Sequence, residues 1–179
     1  GGLGDDAIDG GLGSDVLSGG EGDDTLLGQD GDDTLIGGIG SDTIDGGDGA
    51  DVAVFAGYQS DYTFASSADG LTVTVTDRST GDVDTVTNVE TLSFADGDIV
   101  VSHDGTGLVL TGLSTDSIEV EGSVGVTVLG QENNDTLIGG SGNDDLSGGA
   151  GSDTLVGGVS SDVIDLSLIH ISEPTRHTR

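Results

Sequence analysis

Single apolar residues recur every nine positions through the first 54 residues, each between small or polar neighbours. The recurring residues are Ile8, Leu17, Leu26, Leu35, Ile44 and Ala53. One inward side chain between polar neighbours is typical of a very short strand, because successive side chains of a strand point to opposite faces. The pattern predicts strands of about three residues joined by turns, with two strands and two turns forming one coil of a parallel stack.

Glycine and aspartate follow the same nine-residue period. Counted from Gly1, position 6 is Asp in all six repeats of 1–54, and positions 1, 2 and 4 are Gly with Gln29 as the one departure. Glycine adopts positive φ without steric cost, so this half of the repeat is a tight turn whose carbonyl groups can point one way. A period held without a gap indicates a repeat architecture.

A second block with the same period covers 130–165. Its inward positions are Leu137, Leu146, Leu155 and Ile164. The end repeats depart from the pattern, because Gln131, Asn133 and Ser160 stand where Gly is expected, whereas the two middle repeats are intact. We therefore expect similar coils with weaker turns at the ends of this block.

The period is absent between the two blocks. All the aromatic residues of the chain lie here, namely Phe55, Tyr58, Tyr62, Phe64 and Phe94. Alternating runs at 62–64, 71–76 and 89–94 predict strands, and we expect 55–101 to form an antiparallel β cap with an aromatic core at the end of the first block. Short apolar runs in 102–129 predict further strands, as degenerate coils that lead into the second block.

The charge of the chain excludes one class of partner. Lys and Arg total 3 against 34 Asp and Glu, for a net charge of −31. Nucleic-acid affinity depends on Lys and Arg, so we expect no nucleic-acid binding. The sequence also contains no apolar stretch long enough for a membrane span. A flexible acidic linker is the plain alternative, but a linker has no need for apolar residues at one fixed register.

Both ends of the sequence bear on its interpretation. The chain begins in phase with the repeat and without Met, so we interpret it as a fragment of a longer protein. The segment 166–179 resembles the translation of a sequencing adapter, and it holds the only Pro and two of the three Arg and Lys residues. We expect this tail to be non-native and exclude it from the fold.

Stacked coils bring the position-6 carboxylates together. Repeats two apart lie above one another, so one edge of the stack carries Asp6, Asp24 and Asp42 and the other carries Asp15, Asp33 and Asp51. Like charges about 5 Å apart repel by about 1 kcal/mol in water and by more near a protein surface. Carboxylates and glycine carbonyls form an all-oxygen cage, which favours Ca²⁺ over Zn²⁺, whose preferred ligands are His and Cys, and over the strictly octahedral Mg²⁺.

The repeat Gly-Gly-x-Gly-x-Asp-x-apolar-x, as in Gly19 to Leu27, resembles the RTX nonapeptide of hemolysin-type secreted proteins. The resemblance implies an all-β fold of two right-handed parallel β-roll blocks joined by an antiparallel β segment. In that family each Ca²⁺ lies between turns of adjacent coils, held by position-6 Asp and loop carbonyls. Carried over, the stacked pairs would be Asp6/Asp24, Asp24/Asp42, Asp15/Asp33, Asp33/Asp51, Asp135/Asp153 and Asp144/Asp162, for about six ions in total.

The predicted metal ligands form two sets. The carboxylates are Asp6, Asp15, Asp24, Asp33, Asp42, Asp51, Asp135, Asp144, Asp153 and Asp162. The backbone carbonyl donors lie near Gly2, Gly4, Gly11, Gly13, Gly20, Gly22, Gly31, Gly38, Gly40, Gly140, Gly142, Gly149 and Gly151. The position-5 residues Asp5, Asp23 and Asp32 are weaker candidates, because Ser and Ala fill the same position in other repeats.

No catalytic constellation stands out in the sequence. Ser102, His103 and Asp104 are triad residue types, but neighbouring residues on a strand point to opposite faces, so a surface turn is the simpler interpretation. We expect no catalytic or organic-cofactor site in these residues. The resemblance implies a calcium-dependent module of a larger secreted, extracellular protein, exported by machinery of the type I kind. Two alternatives stay open: the accessory module of a secreted protease, lipase or polysaccharide epimerase, and the stalk of a surface adhesin.

Overall fold

A computed structural model describes residues 1–68, 70–103, 107–112 and 117–166. Within these residues the chain forms nineteen strands and one short 3-10 helix, Gln59–Asp61. No described helix has the length and apolar character needed to cross a membrane. The predicted adapter-like tail falls outside the described residues except for Leu166.

The first block contains seven strands, and those between the two ends are six residues long rather than the predicted three. The strands are β1 Gly2–Leu3, β2 Ala7–Leu12, β3 Val16–Glu21, β4 Thr25–Asp30, β5 Thr34–Ile39, β6 Thr43–Asp48 and β7 Val52–Val54. The ladder extends past the apolar centre to positions 2 and 3 of the next repeat, so that Gly20 pairs with both Gly2 and Gly38. The added length arises because these glycines allow close approach of neighbouring coils.

Odd and even strands of the first block form two separate parallel sheets. The register advances by one coil at each step, so that Leu26 lies opposite both Ile8 and Ile44. The inward residues therefore stack into a narrow core, in which Leu26 and Leu35 are fully buried. This is the arrangement that the nine-residue apolar period predicts.

The segment between the blocks contributes five strands. They are β8 Tyr62–Ser66, β9 Thr72–Asp77, β10 Val83–Thr87, β11 Thr91–Phe94 and β12 Gly97–His103. Strands β8, β9 and β10 form an antiparallel meander, while β11 and β12 form a hairpin. Strand β10, which the sequence analysis did not predict, pairs in parallel with β6 of the first block, and β11 pairs in parallel with β7.

The remaining strands continue both faces of the stack. They are β13 Leu108–Gly112, β14 Ser117–Glu119, β15 Thr127–Leu129, β16 Thr136–Ile138, β17 Asp145–Ser147, β18 Thr154–Val156 and β19 Val163–Asp165. One ten-stranded sheet runs from β1 through β11, β12 and β13 to β19. On the other face, a bridge between Phe64 and Val120 links the six-stranded sheet to the coil that contains β14.

The intervening segment thus joins the two blocks into one stack, in addition to covering the end of the first. Its core is aromatic: the Phe55 and Phe94 rings stack with centroids 5.1 Å apart, and Phe64 meets Phe94 edge-on at 5.8 Å. Tyr62 packs against the same pair, whereas Tyr58 is 58% exposed. The predicted fold class, all-β with parallel β-roll blocks joined by antiparallel pairing, is confirmed.

Candidate metal centre

The position-6 aspartates of the first block form a ladder along each edge of the stack. The backbone N–H of Asp6 donates to Oδ1 of Asp24 at 2.7 Å, and the N–H of Asp24 donates to Oδ1 of Asp42 at 2.8 Å. The opposite edge repeats these bonds at 2.7 and 2.8 Å, through Asp15, Asp33 and Asp51. The residues that the sequence pairs are therefore brought together, one coil apart.

The second block has the same ladder with slightly longer bonds. The N–H of Asp135 donates to Asp153, and that of Asp144 donates to Asp162, both at 3.1 Å. One step earlier, the N–H of Val126 donates to Oδ1 of Asp144 at 3.1 Å. Because Val126 occupies the place of a position-6 residue without offering a carboxylate, the ladder of this edge begins at Asp144.

The second oxygen of these carboxylates is the feature that points to a ligand. Several Oδ2 atoms are buried and accept no hydrogen bond from the described residues, namely those of Asp15, Asp24, Asp33, Asp42, Asp51 and Asp144. A buried polar atom without a partner costs about 1–3 kcal/mol, and more when it is charged. Two regular rows of such atoms are the arrangement expected along the edges of a cation-binding stack.

Glycine at position 1 creates the space in which each Oδ2 lies. A Cβ added at Gly19 would overlap Oδ2 of Asp24 and would lie 2.6 Å from the carbonyl oxygen of Gly37. The same overlap with the repeat's own aspartate recurs at Gly28 and Gly130. Each Oδ2 therefore shares its surroundings with a main-chain carbonyl of the next coil, and these surroundings suit a hard cation such as Ca²⁺.

Side chains alone do not complete a metal centre. Over the described residues, no group of three or more His, Cys, Asp or Glu side chains is positioned to hold a metal ion. Most ligands would have to be backbone carbonyls of the glycine turns, as the sequence analysis expects. The predicted carbonyl donors lie in these turns, and all of them except Gly2, Gly142 and Gly151 have positive φ.

The position-5 residues have a different role from position 6. Oδ1 of Asp5 accepts from the N–H of Asp23 at 3.0 Å, and Oδ1 of Asp23 accepts from the N–H of Ser41 at 2.8 Å. Asp32 accepts from Ala50 in the same way at 3.0 Å. These exposed carboxylates tie successive turns together on the outside of the stack, with the bonds running in the opposite direction to those of position 6.

Two acidic residues that the sequence analysis missed extend the ladders. The N–H of Asp42 donates to Oδ1 of Asp84 at 2.8 Å, and the N–H of Asp51 donates to Oε2 of Glu90 at 2.8 Å. Asp84 and Glu90 precede the β10 and β11 residues that pair with the first block, and so they stand at the next position 6. The signal in the sequence is weak, because each segment retains only three consecutive positions of the repeat: the acidic residue, the Thr and the apolar residue.

The acidic stack is unfavourable when ionised and without a cation. Burial raises the pKa of Asp42, Asp51 and Asp144, and nearby carboxylates add to the rise. Burial raises the pKa of Asp84 to about 7, again with a contribution from Asp42. A bound cation would favour the ionised form and remove this repulsion.

The triad residue types are not assembled within the described residues. Ser102 and His103 are exposed and consecutive in β12, where they pair with Val109 and Leu108 of β13. Asp104 lies outside the described residues.

A family model agrees with this geometry. The family model of the RTX calcium-binding nonapeptide repeat (4 copies) matches residues 1–35, 18–53 and 129–164. No curated protein matches the chain. Among solved structures, the extracellular lipase LipA from Serratia marcescens is similar, with 25% sequence identity and a TM-score of 0.48. That match covers 87% of this chain and 28% of the lipase chain, so this chain spans less than a third of that protein.

The family match, the two aspartate ladders and the parallel stack describe one kind of module. RTX repeats bind Ca²⁺, and the repeat region is not itself catalytic. The matched ranges coincide with the two blocks in which Gly at position 1 and Asp at position 6 recur. The chain belongs to the RTX calcium-binding nonapeptide-repeat family, and its repeat region covers residues 1–53 and 129–164.

Proposed function

We propose that this chain is a calcium-dependent folding module of a larger secreted protein. The observation that carries the proposal is the rows of buried Oδ2 atoms that accept no hydrogen bond from the described residues. The position-6 aspartates would hold the ions, together with carbonyls of the glycine turns. Stacked pairs give about six ions, about four in the first block and about two in the second.

Folding and ion binding are coupled in this proposal. Each candidate site takes oxygens from two coils, so no complete site exists before the coils have stacked. Part of the binding free energy is then spent on folding, and the apparent affinity is modest. A chain of this kind stays unfolded where free Ca²⁺ is scarce, as in the cytosol, and folds after export into an extracellular medium rich in Ca²⁺.

Calorimetric titration of Ca²⁺ into the chelator-treated chain tests the proposal. The informative variant replaces Asp24 and Asp33 by Asn, which keeps the Oδ1 acceptors but removes one charge from each ladder. The matched control replaces their exposed neighbours Asp23 and Asp32 by Asn, with the same change in net charge. We expect the first variant to lose bound ions and the control to bind as the wild type does. Equal titrations for the two variants, or no binding by the wild type, would overturn the proposal.

A further inference from the structure

The two faces of the stack pass from the intervening segment to the second block in different ways. On one face the ten-stranded sheet is unbroken, because β12 pairs with β11 on one side and with β13 on the other. On the opposite face the six-stranded sheet ends at β8, and a separate three-stranded sheet begins at β14. Over the described residues, the bridge between Phe64 and Val120 is the only strand pairing between these two sheets. We call this boundary between β8 and β14 the seam.

A side chain replaces part of the missing ladder at the seam. The main chain contributes a bond from the N–H of Glu121 to the carbonyl oxygen of Phe64, at 2.6 Å. Next to it, Oε1 of the buried Gln59 accepts from the N–H of Ser117, the first residue of β14, at 3.2 Å. Nε2 of Gln59 donates no hydrogen bond within the described residues, and a buried donor without a partner is destabilising. The seam is therefore less completely bonded than the ladders on either side of it.

Arg78, in the turn after β9, reaches across the seam. Its N–H donates to the carbonyl oxygen of Asp61 at 3.0 Å, and its Nε donates to the carbonyl oxygen of Tyr62 at 3.2 Å. Its Nη2 forms an ion pair with Glu119, the last residue of β14. The guanidinium group is thus fixed to the edge of β8 and holds a carboxylate of β14, so one side chain joins the two sides of the seam.

The ion pair of Arg78 with Glu119 is singular in this acidic chain. Arg78 is the only Lys or Arg of the described residues, and the net charge of the whole chain is −31. The two side chains are 39% and 33% exposed, so solvent screens their attraction and the pair by itself is weak. Because Nε is already held by Tyr62, the guanidinium loses little further freedom on pairing. The pair matters because few other bonds close the seam.

We propose that the pair of Arg78 and Glu119 is a latch that couples the second block to the rest of the stack. The unbroken ten-stranded sheet is the hinge, and the seam on the opposite face is the side that opens. With the latch closed, β14 is held against β8 and supports β16 and β18, which pair in turn beyond it. With the latch open, the second block loses this support on one face and unfolds more readily than the first block. The inference rests on the proposed function only in that Ca²⁺ folds the stack.

Amide hydrogen exchange of the full chain, followed by mass spectrometry in saturating Ca²⁺, tests the latch because it reports each block separately. The two test variants are Arg78→Gln and Glu119→Gln, which change the net charge by one unit in opposite directions. We expect both to accelerate exchange in β14, β16 and β18 by about two- to fivefold, the effect of losing one exposed ion pair. Exchange in β2 to β6 of the first block should stay at the wild-type rate.

Two further variants separate the pair from other effects of charge. The double variant Arg78→Gln with Glu119→Gln should exchange no faster than Arg78→Gln alone, because the first substitution already breaks the pair. Asp98→Asn removes the same charge as Glu119→Gln, but from β12 on the unbroken face, and it should exchange as the wild type does.

The outcomes separate this inference from the proposed function. Slower exchange in Glu119→Gln with faster exchange in Arg78→Gln would follow net charge and overturn the latch, as would wild-type rates in both variants or equal acceleration in both blocks. If the wild type is protected alike in chelator and in Ca²⁺ while the variants differ as expected, only the proposed function is overturned. A wild type that Ca²⁺ leaves unprotected in both blocks would overturn both.

Discussion

The amide nitrogen of Asp24 and Oδ1 of Asp42 lie 2.8 Å apart, and the same relation links Asp6 to Asp24 at 2.7 Å. Oδ1 of each interior aspartate therefore accepts a hydrogen bond from the preceding coil, while the amide of the same residue donates one to the following coil. The Oδ2 atoms of Asp24 and Asp42 stay buried without a hydrogen-bond partner among the described residues. One residue type thus both sets the spacing of the coils and offers a ligand oxygen between them.

Substitution of an aspartate at an interior position of a ladder should destabilise the fold more than substitution at its end. Asp24→Ala removes a carboxylate shared by two stacked pairs and leaves the Asp6 amide without its acceptor, which we expect to cost about 2–3 kcal/mol. Asp6→Ala affects one pair, and we expect about half that loss. The free energy of unfolding in saturating Ca²⁺, from urea titration, checks the difference. Asp33→Ala should behave as Asp24→Ala does, and equal losses at all three positions would argue against stacked pairs.

Glycine at position 1 should be intolerant of any side chain. In Gly19→Ala the new methyl group would overlap Oδ2 of Asp24, so we expect a loss of about 3 kcal/mol and a higher Ca²⁺ concentration at the folding midpoint. Gly2→Ala is the control, because a Cβ there meets nothing within 4 Å. Calcium titrations followed by circular dichroism measure both variants. A midpoint for Gly19→Ala equal to that of Gly2→Ala would contradict the close approach of Asp24 Oδ2 to Gly19.

Gln29 is a side-chain-bearing residue in a glycine position, with φ of 80°. A non-glycine residue in this region carries strain of about 1 kcal/mol or more, so Gln29→Gly should stabilise the folded chain by about that amount. Thr25→Gly, at an exposed strand position, should instead destabilise it by about 0.5–1 kcal/mol. Thermal unfolding in Ca²⁺ compares the two changes, and opposite signs are expected. A loss of stability in both would show that Gln29 is not strained.

Acid should stabilise the calcium-free fold. The pKa of Asp84 is raised to about 7 from 3.8, and those of Asp42, Asp51 and Asp144 are raised as well. Between about pH 4 and about pH 7 the folded chain therefore binds more protons than the unfolded chain, so stability is gained below this window and lost as pH rises through it.

Far-UV circular dichroism in chelator at about pH 7 and about pH 5 measures this dependence. We expect more β-sheet at the lower pH, and a smaller gain for Asp84→Asn. In saturating Ca²⁺ the direction should reverse, because protons compete with the ion for the carboxylates. A loss of β-sheet on acidification in chelator would contradict the raised pKa values.

The repeat blocks were predictable because one period fixes both the inward residues and the acids. The position-6 partners lie 18 residues apart in every pair of the two blocks, as in Asp15 and Asp33. Asp84 continues the ladder from Asp42 at a separation of 42 residues, and Glu90 continues it from Asp51 at 39. A search for a fixed period cannot find partners that tertiary pairing brings together across an antiparallel meander.

The nine-residue pattern also could not predict the length of the strands or the role of the intervening segment. The apolar residue at position 8 indicates the centre of each strand, but the ladder through Gly20 and Gly38 depends on how closely two coils approach. The aromatic residues indicated a core, whereas the bridge from Phe64 to Val120 is a contact between residues far apart in sequence. Contacts at such separations leave no local trace in the sequence.

The central claim is that Ca²⁺ is needed for this chain to fold, and far-UV circular dichroism tests it most directly. The chain is measured at neutral pH in chelator, then with millimolar Mg²⁺, and then with millimolar Ca²⁺. The account predicts a disordered spectrum in chelator and in Mg²⁺, and the appearance of a β-sheet spectrum with Ca²⁺. A β-sheet spectrum in chelator that Ca²⁺ leaves unchanged would contradict it.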